Sequence, residues 1–287
     1  NAIKLAIDNN VQIINDIDLF VETNPKAKII GITGTNGKST TAALLFHILK
    51  FNKIKSVICG NFGVPACSIN DPGENGVIIL ELSSYQLDGA KNLSLDMATI
   101  INITPDHLDY HENFDRYIYC KLKIINFLRN NAIFIFDKSN KLLDKIIDTS
   151  NYKSLKFIRI HKKESTDFIN DNKHLKGTHN AINASIAISI AKKLDINDSK
   201  IELAIKRFKG LSHRMEQLYV SKDLEIINDS KSTNGDSTAA ALKSFNSIFW
   251  IVGGKPKNDG IGEAKNFLDK VVEIFIIGNS TNYFSEE

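Results

Sequence analysis

The segment Gly31-Ile-Thr-Gly-Thr-Asn-Gly-Lys-Ser-Thr40 constrains this chain more than any other. An apolar pair, Ile29-Ile30, leads into it, and a helical pattern rich in Ala and Leu leaves it. Glycines let successive backbone N–H groups converge on phosphate oxygens, and the start of a helix adds a favourable dipole. Lys38 is placed to reach the outer phosphates and Ser39 to put its hydroxyl on magnesium. The strict pattern G-x-x-x-x-G-K-[ST] fails, because position 32 is Ile, so the glycines at 31, 34 and 37 form a variant loop. The alternative is a Gly-rich strand-to-helix turn with a chance Lys-Ser. The strand-loop-helix context favours a nucleoside triphosphate site.

Short β-branched runs alternate with helical patterns on both sides of this loop. Strands are expected at 28–33, 56–59, 77–82, 98–103, 132–136 and 155–160, with helices at 39–51, 114–129, 141–147 and 179–194. That alternation predicts an α/β fold with a mostly parallel sheet covered by helices. A second block begins near Gly210. There, strands are expected at 216–220, 224–228, 248–252 and 272–277, and helices at 237–245 and near 263–268. The stretch Phe208-Lys-Gly-Leu-Ser212 reads as the boundary between the blocks. Internal repeats and low-complexity tracts are absent.

At ~100–200 residues per domain, a length of 287 suits about two domains. The 36 basic and 33 acidic side chains leave a net charge of +3, too balanced to imply nucleic acid as a partner. Only five of the basic residues are Arg; the Lys excess, beside abundant Asn and Ile, reads as codon bias rather than a binding surface. No apolar run approaches the ~18–20 residues of a membrane helix, so no membrane insertion is expected. Cys59, Cys67 and Cys120 are odd in number and lack CxxC spacing, as in a reduced cytoplasmic protein. The first residues carry no signal-peptide pattern and no Met. The sequence stops at Phe284-Ser-Glu-Glu after a strand-like run, so both ends read as those of a fragment.

Three further groups carry possible chemistry. Glu81 closes an apolar strand, where ligands of open parallel sheets bind, and is either a magnesium ligand or a solvated strand-end acid. In Asn102-Ile-Thr-Pro-Asp-His-Leu-Asp-Tyr-His111, Thr104 and Pro105 resemble an N-cap and first helical residue, placing His107 in the first turn. His107 and His111 have the i, i+4 spacing of zinc ligands, but no Cys or HExxH frame accompanies them; magnesium and a purely structural cap are the other readings. Lys121 falls on an apolar stripe with Ile118, Ile125 and Leu128. It either snorkels to water or meets a specific anion.

Together these pieces resemble the Mur ligases, ATP-dependent amino-acid ligases of peptidoglycan precursor synthesis. The family's GTNGK[ST] loop is found at Gly34–Ser39, so Ile32 belongs to the family's own variant. Glu81-Leu-Ser-Ser-Tyr-Gln-Leu87 is similar to the ELSS[FY]QL segment of the branch that adds D-glutamate, and Gly60-Asn61-Phe-Gly-Val-Pro to its GN[IV]G-P loop. Gly177-Thr-His-Asn-Ala-Ile-Asn183, Gly210-Leu-Ser-His-Arg214, Asn228-Asp-Ser-Lys-Ser-Thr-Asn234 and Gly253-Gly-Lys-Pro-Lys257 follow in family order. The DHLDYH run is shared with the diamino-acid-adding sibling, whose DYAH-type segment is replaced here by Asn228-Asp-Ser-Lys. Folylpolyglutamate synthases share GTNGK without ELSSYQLD or NDSKSTN.

The resemblance implies a central P-loop-type ATPase domain at 25–209, preceded by the remnant of a UDP-binding domain and linker at 1–24. An incomplete Rossmann-like α/β domain is implied at 210–287. It implies ATP and two magnesium ions as cofactors, with UDP-N-acetylmuramoyl-L-alanine and D-glutamate as substrates of a cytoplasmic, monomeric enzyme. Gly34, Thr35, Asn36, Gly37, Lys38, Ser39, Thr40 and Thr41 would hold the phosphates, and Asn180 and Asn183 the adenine side. Arg214 and Asp229 would engage ATP from the C-terminal domain. Ser39 and Glu81 would serve one magnesium; His107 and a carbamylated Lys121 would serve the other. Asn61 and Ser83 would face the muramoyl substrate, and Lys231, Thr233 and Lys257 would face D-glutamate and the developing charge. Lys255-Pro256 departs from the family's usual Asp-Gly beside Lys257. Rival readings are another amide ligase of the superfamily, a kinase or GTPase-type switch, and a catalytically silent binding module. The switch would want a guanine-reading NKxD segment, which the sequence lacks.

Overall fold

The computed structural model describes residues 2–149, 152, 154–255 and 260–286. Two compact units emerge: Asn1–Asp171 with Asn180–Phe208, and Asn172–His179 with Lys209–Glu287.

In the first unit, β1 (Lys28–Thr33), β2 (Ser56–Gly60), β3 (Val77–Glu81), β4 (Leu95–Ile100), β5 (Leu128–Asp137) and β6 (Lys156–Ile160) build one sheet. Its order is β2-β3-β1-β4-β5-β6 and every adjacent pair is parallel. Parallel sheets are covered on both faces, so their strands read as continuous apolar runs. β3 is buried at every position and β1 at all but its first. From β1 the chain runs towards the β2 edge and from β4 towards β5, which opens a crevice beyond the carboxyl ends of these neighbouring strands. The phosphate-loop segment and the Asn102–His107 segment both leave from there.

Helices start where short polar side chains cap them. Asn15 caps Asp16–Glu22, Ser83 caps Ser84–Gly89, Asn113 caps Phe114–Asn126 and Asn197 caps Asp198–Lys206. Ile17 and Phe20 enter the same core as Leu80, Leu82, Leu87, Phe134 and Phe136. Among the described residues no helix is long and apolar enough to cross a membrane.

Two local expectations are corrected. Strand β4 ends at Ile100, and Thr104-Pro105 does not open a helix; the short helix is Leu108–His111, capped by His107 in the left-handed region at φ +55. The reason is long-range. Thr104 N–H donates to Thr35 Oγ1 and Thr104 O accepts from the same hydroxyl, both at 3.0 Å, which holds that backbone extended. The helix carrying Lys121 stops at Asn126, and Leu128 instead pairs with Leu95 as the first residue of β5. Its buried stripe is Tyr117, Cys120, Lys121, Ile124 and Ile125.

The second unit holds an antiparallel pair, β7 (Glu216–Val220) and β8 (Glu225–Asn228), and a parallel pair, β9 (Ile248–Gly253) and β10 (Val271–Ile277). The helix Gly235–Lys243 precedes β9, and a 3₁₀ helix, Gly262–Lys270, precedes β10 at the place where the pattern predicts a helix. The chain is thus an α/β protein built around a six-stranded parallel sheet.

Candidate active site

The phosphate loop turns from β1 into the helix Lys38–Phe51 through Gly37, which caps the helix at φ +89. A Cβ there would stand 2.3 Å from Asn183 Oδ1, so the turn admits glycine alone. The loop is pinned by a residue the sequence reading left unassigned. Asn102 O accepts from Thr35 N–H at 3.0 Å, its Oδ1 accepts from Asn36 N–H at 2.9 Å, and its Nδ2 donates to Asn36 O at 3.0 Å. Side-chain amides that copy backbone pairing fix a loop without regular structure. Ser39 and Thr41 are buried in the first helical turn and Thr40 is half-buried. Asn180 and Asn183 are both buried, Asn183 Nδ2 donating to Asn180 Oδ1 at 3.3 Å, so Asn183 stands against the phosphate loop.

Two lysines converge on this loop. Lys38 Nζ donates to Gly34 O and Thr35 O, each at 2.9 Å. Lys121 Nζ also donates to Gly34 O at 2.9 Å and lies 4.7 Å from the centroid of the Tyr117 ring. Only 1% of Lys121 is exposed. Burial, then the neighbouring Lys38 charge, push its amine well below the ordinary lysine range, against an opposite pull from Asp106 and Glu81. The snorkelling alternative is therefore excluded: the amine points inward. Tyr117 is hydrogen-bonded to Thr35 Oγ1 at 3.0 Å. Thr35 spends its single hydrogen on Thr104 O, so the phenol is the donor.

Glu81 is 1% exposed at the end of β3. Its Oε1 accepts from Asn61 Nδ2 at 2.9 Å, while Oε2 is buried with no hydrogen-bond partner. An unpaired buried polar atom costs about 1–3 kcal/mol, more when charged. A cation at Oε2 removes that cost, so the donor chemistry fits magnesium, with Glu81 and the buried Ser39 as candidate holders.

His107 lies with Nε2 3.6 Å from Asp106 Oδ2 and its ring 5.1 Å from that of Tyr85. His111 is buried, its Nε2 hydrogen-bonded to Ser84 Oγ at 2.9 Å, and burial lowers its pKa. Among the described residues no three His, Cys, Asp or Glu side chains gather as a metal site. Ser83 is half-buried and caps its helix, accepting from Gln86 N–H at 3.2 Å.

The second unit carries the remaining candidates. Asp229 Oδ1 accepts from Met215 N–H at 2.8 Å and Oδ2 accepts from the Ser232 hydroxyl. Burial nevertheless raises its pKa. Arg214 is half-buried, its charge opposing that rise, and Lys231 and Thr233 are exposed. Lys257 lies outside the described residues.

Known proteins resemble this chain in sequence and in fold. Residues 32–191 match the Mur ligase middle domain. A UDP-N-acetylmuramoylalanine--D-glutamate ligase of Rickettsia prowazekii is 35% identical over 302 residues, covering 99% of this chain and 67% of the relative. One of Novosphingobium aromaticivorans is 36% identical over 280 residues, covering 96% of this chain and 63% of its own length. The chain thus spans about two thirds of the length of these curated relatives. Among solved structures, the MurF ligase of Thermotoga maritima in complex with ADP superposes with a TM-score of 0.71 at 15% identity. That match covers 95% of this chain and 73% of the other, and it shows the shared fold. A phosphate loop at the switch point of this sheet, a family match over that sheet and relatives at such identity lead to one conclusion: the chain belongs to the Mur ligase family.

Proposed function

We propose that this chain carries the ATP-dependent step of a ligase that joins D-glutamate to UDP-N-acetylmuramoyl-L-alanine in peptidoglycan precursor synthesis in the cytoplasm. The observation that carries the reading is the convergence of Lys38 and Lys121 on Gly34 O beside an orphaned Glu81 oxygen. We assign 25–209 to the ATPase domain, apart from 172–179, which group with the second unit, and 210–287 to a Rossmann-like domain; 1–24 are assigned to a UDP-binding domain and linker, with Ile17 and Phe20 packed into the first unit's core. The enzyme acts as a monomer.

The substrate carboxylate attacks the γ-phosphorus of ATP, giving an acyl phosphate and ADP; the D-glutamate amine then attacks the acyl carbon and phosphate leaves. Such transfers rest on positioning and charge neutralisation rather than a protein nucleophile. Lys38 exchanges a loop carbonyl for an outer phosphate oxygen. The loop N–H groups and helix N-terminus of Gly34–Thr41 hold the phosphates, with Asn180 and Asn183 behind them. Ser39 and Glu81 would hold one magnesium ion and His107 and Lys121 another, and these would supply charge neutralisation. Burial favours the neutral form of the Lys121 amine, the form that would attack carbon dioxide. The new N–C bond would release one proton and put an anionic carbamate in place of the amine. Asn61 and Ser83 face the muramoyl substrate; Arg214 and Asp229 face ATP; Lys231, Thr233 and Lys257 face D-glutamate.

The test is ADP release by the enzyme with the flanking segments its relatives carry, given the UDP-muramoyl-alanine substrate. Turnover with D-glutamate and not with L-glutamate, L-lysine or meso-diaminopimelate is expected; equal turnover with any of these defeats the specificity. Lys121→Ala is expected to lose activity that added bicarbonate does not restore.

A further inference from the structure

The loop after β2 folds back onto the end of β3 and grips Glu81 through both backbone and side chain. Gly60 N–H donates to Val64 O at 2.9 Å, which closes a tight reversal, and Asn61 N–H donates to Glu81 O at 2.9 Å. Gly60 sits at φ +97, and a Cβ there would stand 2.3 Å from Glu81 O. At that contact only glycine lets the two segments meet. One residue on, Asn61 Nδ2 donates to Glu81 Oε1 at 2.9 Å, while Asn61 itself is exposed on the surface.

A carboxylate turns freely about its last torsion, which is broad rather than staggered. Left alone, Glu81 could swing either oxygen, or both, towards a ligand. A donor fixed to Oε1 ends that freedom and leaves one oxygen, Oε2, unpaired. The donor is also neutral. A lysine in its place would cancel the charge that a cation needs, whereas an amide orients the carboxylate and leaves its charge in force.

We propose that Asn61 is the positioning residue of the Glu81 carboxylate: it engages Oε1 and so presents Oε2 to the divalent cation that accompanies the nucleotide. The proposal rests on Glu81 as a magnesium-holding side chain, the reading given above. The loop that the family resemblance assigns to the sugar substrate and the carboxylate assigned to the cation are one hydrogen-bonded unit. Outer partners of metal ligands act through orientation, and losing one typically weakens metal binding about 10–100-fold.

The experiment is calorimetric titration of this chain with ADP at a series of magnesium or manganese concentrations, with thermal unfolding of each variant as a fold check. The main-chain bonds of Gly60 and Asn61 survive removal of the side chain, so Asn61→Ala is expected to stay folded. It should need about 10–100-fold more cation to reach half of the cation's effect on ADP affinity. Affinity for ADP without cation should change less than about 2-fold, a split that general loosening of the loop would not produce. In a double-mutant cycle, Asn61→Ala should add nothing to Glu81→Gln, because its effect passes through that carboxylate. Unaltered cation dependence in Asn61→Ala, or a full additive loss on top of Glu81→Gln, overturns the proposal. ADP binding indifferent to cation in the unaltered chain is a different failure: it overturns the magnesium reading and this inference with it.

Discussion

The two units of this chain solve the same problem, burying strands, to very different degrees. In the first, Phe134, Phe136, Ile30, Ile32 and Leu80 have no exposed surface, and the central strands are shielded on both faces. In the second, Phe249 is 60% exposed, Ile251 67% and Val272 61%, although these residues are as apolar as those of β3. A sheet of two strands cannot cover its own faces, and isolated strand pairs are marginal in water. The difference teaches that an apolar strand pattern reports what a segment is made to bury, not whether a small unit has the layers to bury it.

The sharpest way to break the comparison is to delete equal side chains on each side. Phe134→Ala is expected to cost about 3–5 kcal/mol of the first unit's stability, whereas Phe249→Ala should stay within about 0.5 kcal/mol. The single tryptophan, Trp250, lies in β9 and so in the second unit. In denaturant titrations its fluorescence should change before the far-ultraviolet dichroism. Phe134→Ala should shift the dichroism and leave the tryptophan transition in place. Coincident transitions would show that the two units unfold together.

A smaller effect separates the loops. Gly37→Ala combines the strained backbone with a collision against Asn183, and is expected to cost about 1–3 kcal/mol and to abolish measurable ADP binding by calorimetry. Thr233→Ala, at an exposed position of the second unit, should leave the melting temperature unchanged. The smallest effect is one of pH. Burial raises the pKa of Asp229 above the ordinary value of 3.8. The folded state then holds this proton more tightly than the unfolded chain. The stability it gives is therefore full below that ordinary value and is lost as pH rises through the raised one. Asp229→Asn should flatten that decline in the tryptophan-monitored transition; a parallel pH profile in the variant would refute it.

Sequence pattern alone revealed the features that repeat a local rule. The phosphate loop was legible because glycines, lysine and serine must stand at fixed offsets between a strand and a helix. The strand ends carrying Glu81 and the helix carrying Lys121 were legible from apolar runs and spacing. What could not be read is non-local. Thr104-Pro105 looks like a helix start until Thr35 captures both of its backbone groups, and nothing near Asn102 announces that it braces the loop. The helix Asp16–Glu22 left a signal that went unused: Asn15 and Asp18 form a capping box three residues apart. That Lys121 faces inward rather than snorkelling required the fold, since spacing places a lysine on a stripe without saying where its tip lies.

The strand order has a further consequence, for time rather than for structure. The bonds that shape the phosphate loop join residues 66 to 69 positions apart, Asn36 to Asn102 and Thr35 to Thr104. Closing so long a stretch is entropically slow compared with forming the helix that follows the loop. During refolding, helical signal should therefore return well before the chain can hold a nucleotide. Binding competence would then mark the arrival of β4 beside β1, so that nucleotide capture serves as a clock for that long-range step.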